Sequence, residues 1–132
     1  MSSVIKNKTH KNTTDFGTFL KEKREDRNVT LRELARKLEV SAPFLSDVEK
    51  GRSAPLTKER LERVAEVLDL NPDERNEMYD IVGRQRNTVA PDVSDYVMGR
   101  DYVAAALRKA RDMNAGEEEW LRFLEDLQQR EG

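Results

Sequence analysis

Few residues in this chain are suited to catalysis. There is one histidine, His10, and no cysteine, which excludes thiolate catalysis, disulfides and zinc-thiolate sites together. His10 stands in the polar stretch MSSVIKNKTHKN with Lys6, Lys8 and Lys11, where it reads as a solvated side chain. Glycine-rich phosphate loops, a serine elbow and metal-ligand spacing are missing. The paired acids, Glu25-Asp26 and Glu117 to Glu119, read as solvated helix faces. No catalytic residue, metal or cofactor is therefore expected. The densest pattern of caps, turn residues and apolar spacing in the chain lies instead in one short segment.

That segment belongs to the stretch Thr30–Gly51, TLRELARKLEVSAPFLSDVEKG. Leu31, Leu34, Ala35 and Leu38 recur at i, i+3, i+4 and i+7, the apolar face of one helix. Thr30 suits its N-cap, and Glu33 completes a capping box. The face ends at Glu39, and Val40 turns inward. Ser41 can cap a second helix whose inward residues are Leu45 and Val48. Pro43 is tolerated there because the amides of a helix's first turn have no intrahelical acceptor. Gly51 suits the positive φ that ends the helix. Two short helices, a tight turn between them and a polar outer face on the second make a helix-turn-helix.

The stretch resembles the helix-turn-helix of the phage repressor and Cro family (the XRE type). The matching residues are Thr30, Glu33, Leu34, Ala35, Val40, Ser41, Leu45, Ser46, Glu49 and Gly51, with flanking matches over about Phe16–Leu70. The resemblance implies an all-α fold, a five-helix lambda-repressor-like DNA-binding bundle, here followed by a C-terminal helical extension. It also implies that Ser41–Lys50 is a recognition helix entering the major groove of double-stranded DNA. Ala42, Pro43, Phe44 and Asp47 would then meet base edges, and Ser41, Ser46 and Lys50 phosphates. Thr30, Leu31 and Arg32 would offer backbone amides to a phosphate, and the loop Arg52-Ser53-Ala54-Pro55 would follow the DNA backbone. In the family an arginine at the place of Arg24 pairs with the glutamate at the place of Glu49. Leu31 departs from the glutamine many relatives carry, and no recognition position holds an Arg or Gln for bidentate base readout. Phe44 can pack on thymine methyls or fill the core edge beside Leu20, and Asp47 can accept from cytosine N4.

The remaining elements follow from pattern. Residues 1–13 read as a flexible basic tail or a basic arm against DNA, and residues 14–83 as the DNA-binding domain. A first helix from Thr14 or Asp15 to about Arg27 turns Phe16, Leu20 and Phe19 inward, with Gly17 allowing close packing and Asn28 in the left-handed region. A helix over Thr57–Leu68 buries Leu61, Val64, Ala65 and Leu68. Asn71-Pro72-Asp73 opens another that runs to about Val82 and buries Met78, Ile81 and Val82. Residues 84–91 read as a polar linker. In 92–130, an apolar cluster (Val93, Tyr96, Val97, Met98) precedes a helix over Asp101–Met113. Asn114-Ala115-Gly116 then breaks the chain before a last helix from Glu117 to about Gln129. Its face of Trp120, Leu121, Phe123, Leu124 and Leu127 is too small to hold a core alone, so it must close on the bundle or on a second copy. A homodimer is the favoured expectation.

Charged residues make up 38% of the 132-residue chain and aromatics 6%, so the core must be aliphatic and modest. Residues 1–70 carry a net charge of +3 and residues 71–132 a net charge of −5, a balance suited to a nucleic-acid-binding front half and an acidic interaction segment. No apolar run approaches a membrane span and the N-terminus lacks a signal peptide's apolar core, so a soluble, cytoplasmic protein without a membrane partner is expected. The reading is a sequence-specific transcriptional regulator. The alternative is an antitoxin-like protein whose acidic half binds a partner protein and whose DNA binding serves autoregulation.

Overall fold

The computed structural model describes residues 14–131, among which there are eight helices and no strand. They are α1 Phe16–Asp26, α2 Leu31–Leu38, α3 Ala42–Glu49, α4 Lys58–Val67, α5 Pro72–Gln85, α6 Pro91–Val97, α7 Asp101–Asp112 and α8 Glu117–Glu131. Two compact units result, one ending at Val93 and the other starting at Ser94. The basic tail and His10 lie outside the described residues.

Local chemistry sets each boundary in the first unit. The Asp15 carboxylate accepts from the Thr18 amide at 2.7 Å and starts α1. Thr30 and Glu33 form a reciprocal capping box on α2, Ser41 Oγ accepts from Phe44 N, Thr57 caps α4, and Asn71 with Glu74 boxes α5 behind Pro72. These side chains satisfy amides that have no partner within the first turn. Asn28, Glu39 and Asp69 end α1, α2 and α4 at φ 56°, 59° and 50°. Glu39 is the least expected of these, since a glutamate has no short side chain to offset the left-handed conformation. It is held by its own N–H and that of Val40, which reach the Arg36 and Ala35 carbonyls.

The core of the first unit gathers Phe16, Phe19, Leu20, Leu34, Leu38, Leu45, Val48, Leu61, Val64, Leu68, Met78, Ile81 and Val82. Leu56, Leu70 and Tyr79 join it. They fall outside the apolar stripes readable in the sequence because Leu56 and Leu70 lie in loops and Tyr79 flanks its stripe. Gly17 is buried where α1 crosses the end of α3. A Cβ there would come within 2.6 Å of the Val48 carbonyl oxygen and closer still to that of Glu49.

The first residues of the expected linker over 84–91 are helical. Helix α5 continues to Gln85, whose Oε1 accepts from the Phe16 amide. Arg86 donates from Nη2 to the carbonyls of Leu56 (2.6 Å) and Pro55 (3.1 Å). Asn87 turns left-handed at φ 56°, and the chain doubles back so closely that a Cβ on Gly83 would lie 2.9 Å from Ala90 Cα and N. Residues 84–89 are exposed, and two of their polar side chains, Gln85 and Arg86, reach backbone groups of Phe16, Pro55 and Leu56.

In the second unit, α7 ends at Asp112, and Asn114 beyond it turns left-handed at φ 58°. The Gly116 amide donates to Glu119 Oε1 at 3.0 Å at the start of α8, a bond that holds the Glu119 carboxyl below the usual range. Trp120 and Phe123 meet edge to face at 6.4 Å. No residue of α6, α7 or α8 is buried.

Candidate nucleic-acid interface

Helix α3 is anchored from below and behind. Leu45 and Val48 are buried, and the close approach of α1 at Gly17 sets its depth. At its C-terminal end Arg24 grips Glu49 with two hydrogen bonds, Nε to Oε2 at 2.7 Å and Nη2 to Oε1 at 3.0 Å. Arg24 Nη1 also donates to the Val29 carbonyl at 3.0 Å. One guanidinium thus ties together α1, the turn before α2 and the end of α3. The hydrogen bond to Glu49 raises the Arg24 pKa against the opposing effect of burial.

The outer side of α3 is open. Phe44 is 38% exposed, and Pro43, Ser41 and Lys50 are exposed as well. Ser46 and Asp47 lie at intermediate depth beside them. Ala42 is half-buried against the core, so much of its methyl group is taken up by the fold. Leu31 also packs on the core, which leaves its backbone rather than its side chain for any partner. The capping box occupies the Thr30 and Glu33 amides, leaving those of Leu31 and Arg32 as the candidates for an anion at this helix N-terminus.

Asp47 and Arg52, on opposite sides of Gly51, come together. The Arg52 amide donates to the Asp47 carbonyl at 2.8 Å, and its Nη1 lies 3.7 Å from Asp47 Oδ1. Sequence reasoning placed these residues in separate roles and missed the pair. The signal was the positive-φ glycine, whose reversal sends the next amide back to a carbonyl one turn earlier. Trp120, Phe123 and Leu127 are partly exposed, with Leu121 and Leu124 at intermediate depth beside them. They form a patch on the second unit. Among the described residues no His, Asp and Glu group is placed to hold a metal ion, and no helix is long and apolar enough to cross a membrane.

Comparison with known proteins agrees with this geometry. Residues 15–78 match a family model described as a helix-turn-helix domain. Over 56 residues the chain is 38% identical to the ImmF control region 10 kDa protein of Bacillus phage phi105, a match covering 42% of this chain and 61% of that protein. The chain therefore spans less than two thirds of that relative. A solved SinR protein/SinI protein complex is similar at 22% identity and a TM-score of 0.43, covering 88% of this chain and 97% of the other, a likeness too loose to add to the assignment. Residues 15–78, capped, turned and packed as the motif requires, thus match a helix-turn-helix domain, and over 56 residues the chain is similar to a phage control-region protein.

Proposed function

We propose that this protein is a sequence-specific DNA-binding transcriptional regulator that inserts α3 into the major groove. The observation that carries the reading is the two-sidedness of α3. Its inner face is locked by Leu45, Val48 and the Arg24–Glu49 pair, while Pro43, Phe44 and Lys50 stand open on the other side. A rigidly held helix with a free outer face is what a groove reader needs. Ser41, Ser46 and Lys50 flank that face as phosphate partners. Thr30, Leu31 and Arg32 approach the backbone at the start of α2.

The protein acts as a homodimer. No residue of α7 or α8 is buried in the single chain, although α8 carries Trp120, Leu121, Phe123, Leu124 and Leu127 along one side. A second copy would cover such a face, and two-fold pairing would set half-sites about 34–36 Å apart. Footprinting on the DNA upstream of the protein's own gene tests the whole reading. A protected palindrome whose binding weakens steeply with salt is expected. Absence of protection at any sequence, with salt-insensitive association, would refute it.

The same exposed face favours the second reading, in which α8 takes a different protein and DNA binding serves autoregulation. Co-purification of a heterologous chain at one-to-one stoichiometry, lost in a Phe123→Asp variant, would select it over self-association.

A further inference from the structure

The geometry points to Arg52 as a base-reading residue, directed at the O6/N7 edge of a guanine, with Asp47 as the positioning residue that holds its guanidinium beside α3. This rests on the proposed entry of α3 into the major groove and reverses the expected division, in which Arg52 met phosphate and Asp47 met a base.

Three observations converge. Gly51, at φ +78°, reverses the chain, and the Arg52 amide returns to the Asp47 carbonyl at 2.8 Å. Arg52 therefore sits over the last turn of α3 instead of leading away from it. Its Nη1 lies 3.7 Å from Asp47 Oδ1, with both side chains open to solvent, 69% and 47% exposed. The outer positions of α3 itself, Ala42, Pro43, Phe44 and Ser46, include no side chain able to donate two parallel hydrogen bonds to a base.

Chemistry separates the possible targets. A guanidinium has five N–H donors in a planar fork, so a carboxylate on one edge leaves another edge free. Guanine O6 and N7 are two neutral acceptors at matching spacing. A phosphate is an anion, and a carboxylate beside the guanidinium would repel it and weaken the contact. A side chain meant only for phosphate gains nothing from Asp47, whereas one meant for a neutral base edge gains a fixed orientation at little electrostatic cost.

The test uses the full chain and a randomised duplex library, sequenced after selection. Wild type should enrich a motif containing a fixed guanine. Arg52→Lys keeps the charge but not the fork, and Asp47→Asn removes the brace. Each should cut the preference at that guanine by about tenfold while leaving the rest of the motif in place. Both side chains are exposed, and unchanged thermal melts would exclude misfolding. If Arg52→Lys and Arg52→Ala both select the wild-type motif, with the alanine variant only weaker on every duplex, Arg52 is a phosphate contact and the inference fails alone. If wild type enriches no motif, the groove-reading function fails with it.

Discussion

Arg24 of α1 and Glu49 at the end of α3 form a two-point bond, with side chains only 12% and 7% exposed. Opposite charges removed this far from water are costly to leave unpaired, so the pair constrains where α3 can sit. We predict that Arg24→Ala or Glu49→Ala lowers unfolding free energy by about 2–4 kcal/mol in urea titrations. The double variant should lose clearly less than the sum. Strict additivity would mean that the two residues do not act together.

Gly17 makes a related prediction by a different route. Its missing Cβ leaves room for the Val48 and Glu49 carbonyls, and backbone cannot yield as a side-chain tip can. Gly17→Ala should destabilise by about 2–3 kcal/mol through overpacking, despite alanine's better helix propensity. A melting temperature at or above wild type would show that α1 and α3 can separate without loss.

Stability should fall in acid through the capping carboxylates. Burial pushes the Glu74 carboxyl up, but the Asn71 amide, Arg27 and Lys23 outweigh it and hold the carboxyl below its usual range. The Thr30 amide and hydroxyl lower Glu33 in the same direction. A carboxyl whose folded pKa is depressed contributes its full stabilisation above the unfolded value, about 4.3. That contribution is lost as pH falls through the lower folded value. The urea midpoint should thus hold from pH 7 to about 5 and drop below that. Glu74→Gln should make the drop shallower; an unchanged profile would remove Glu74 from the account.

On DNA, Lys50 and Phe44 should behave oppositely. Lys50→Ala is expected to weaken all duplexes alike and to reduce the slope of log affinity against log salt by about one. Phe44, 38% exposed, should instead govern which sites are preferred, through thymine methyl contact. If Phe44→Ala leaves site preference untouched and only lowers the melting temperature, the ring belongs to the edge of the core.

Self-association should depend on α8. Phe123 is 53% exposed and Trp120 43% exposed in the single chain, so Phe123→Asp should fold normally yet sediment as a monomer where wild type sediments as a dimer. Operator affinity should then become far more dependent on protein concentration. A monomeric wild type at tens of micromolar would exclude the homodimer.

Much of this protein follows from sequence because its first unit is built from local devices. Caps at Asp15, Thr30, Ser41, Thr57 and Asn71, left-handed breaks at Asn28 and Gly51, and apolar residues every three or four positions all act within a turn or two of chain. Such signals depend on neighbours in sequence and are readable there. Tertiary structure decided what depended on distant neighbours. Leu56, Leu70 and Tyr79 became core because other helices enclosed them. The segment after Val82 became part of the bundle because Gln85 and Arg86 found backbone partners far away in the chain. Asp47 and Arg52 became a pair because a reversed glycine folded one onto the other. A polar side chain's sequence context shows that it needs a partner, and only the folded chain shows which atoms arrive within reach.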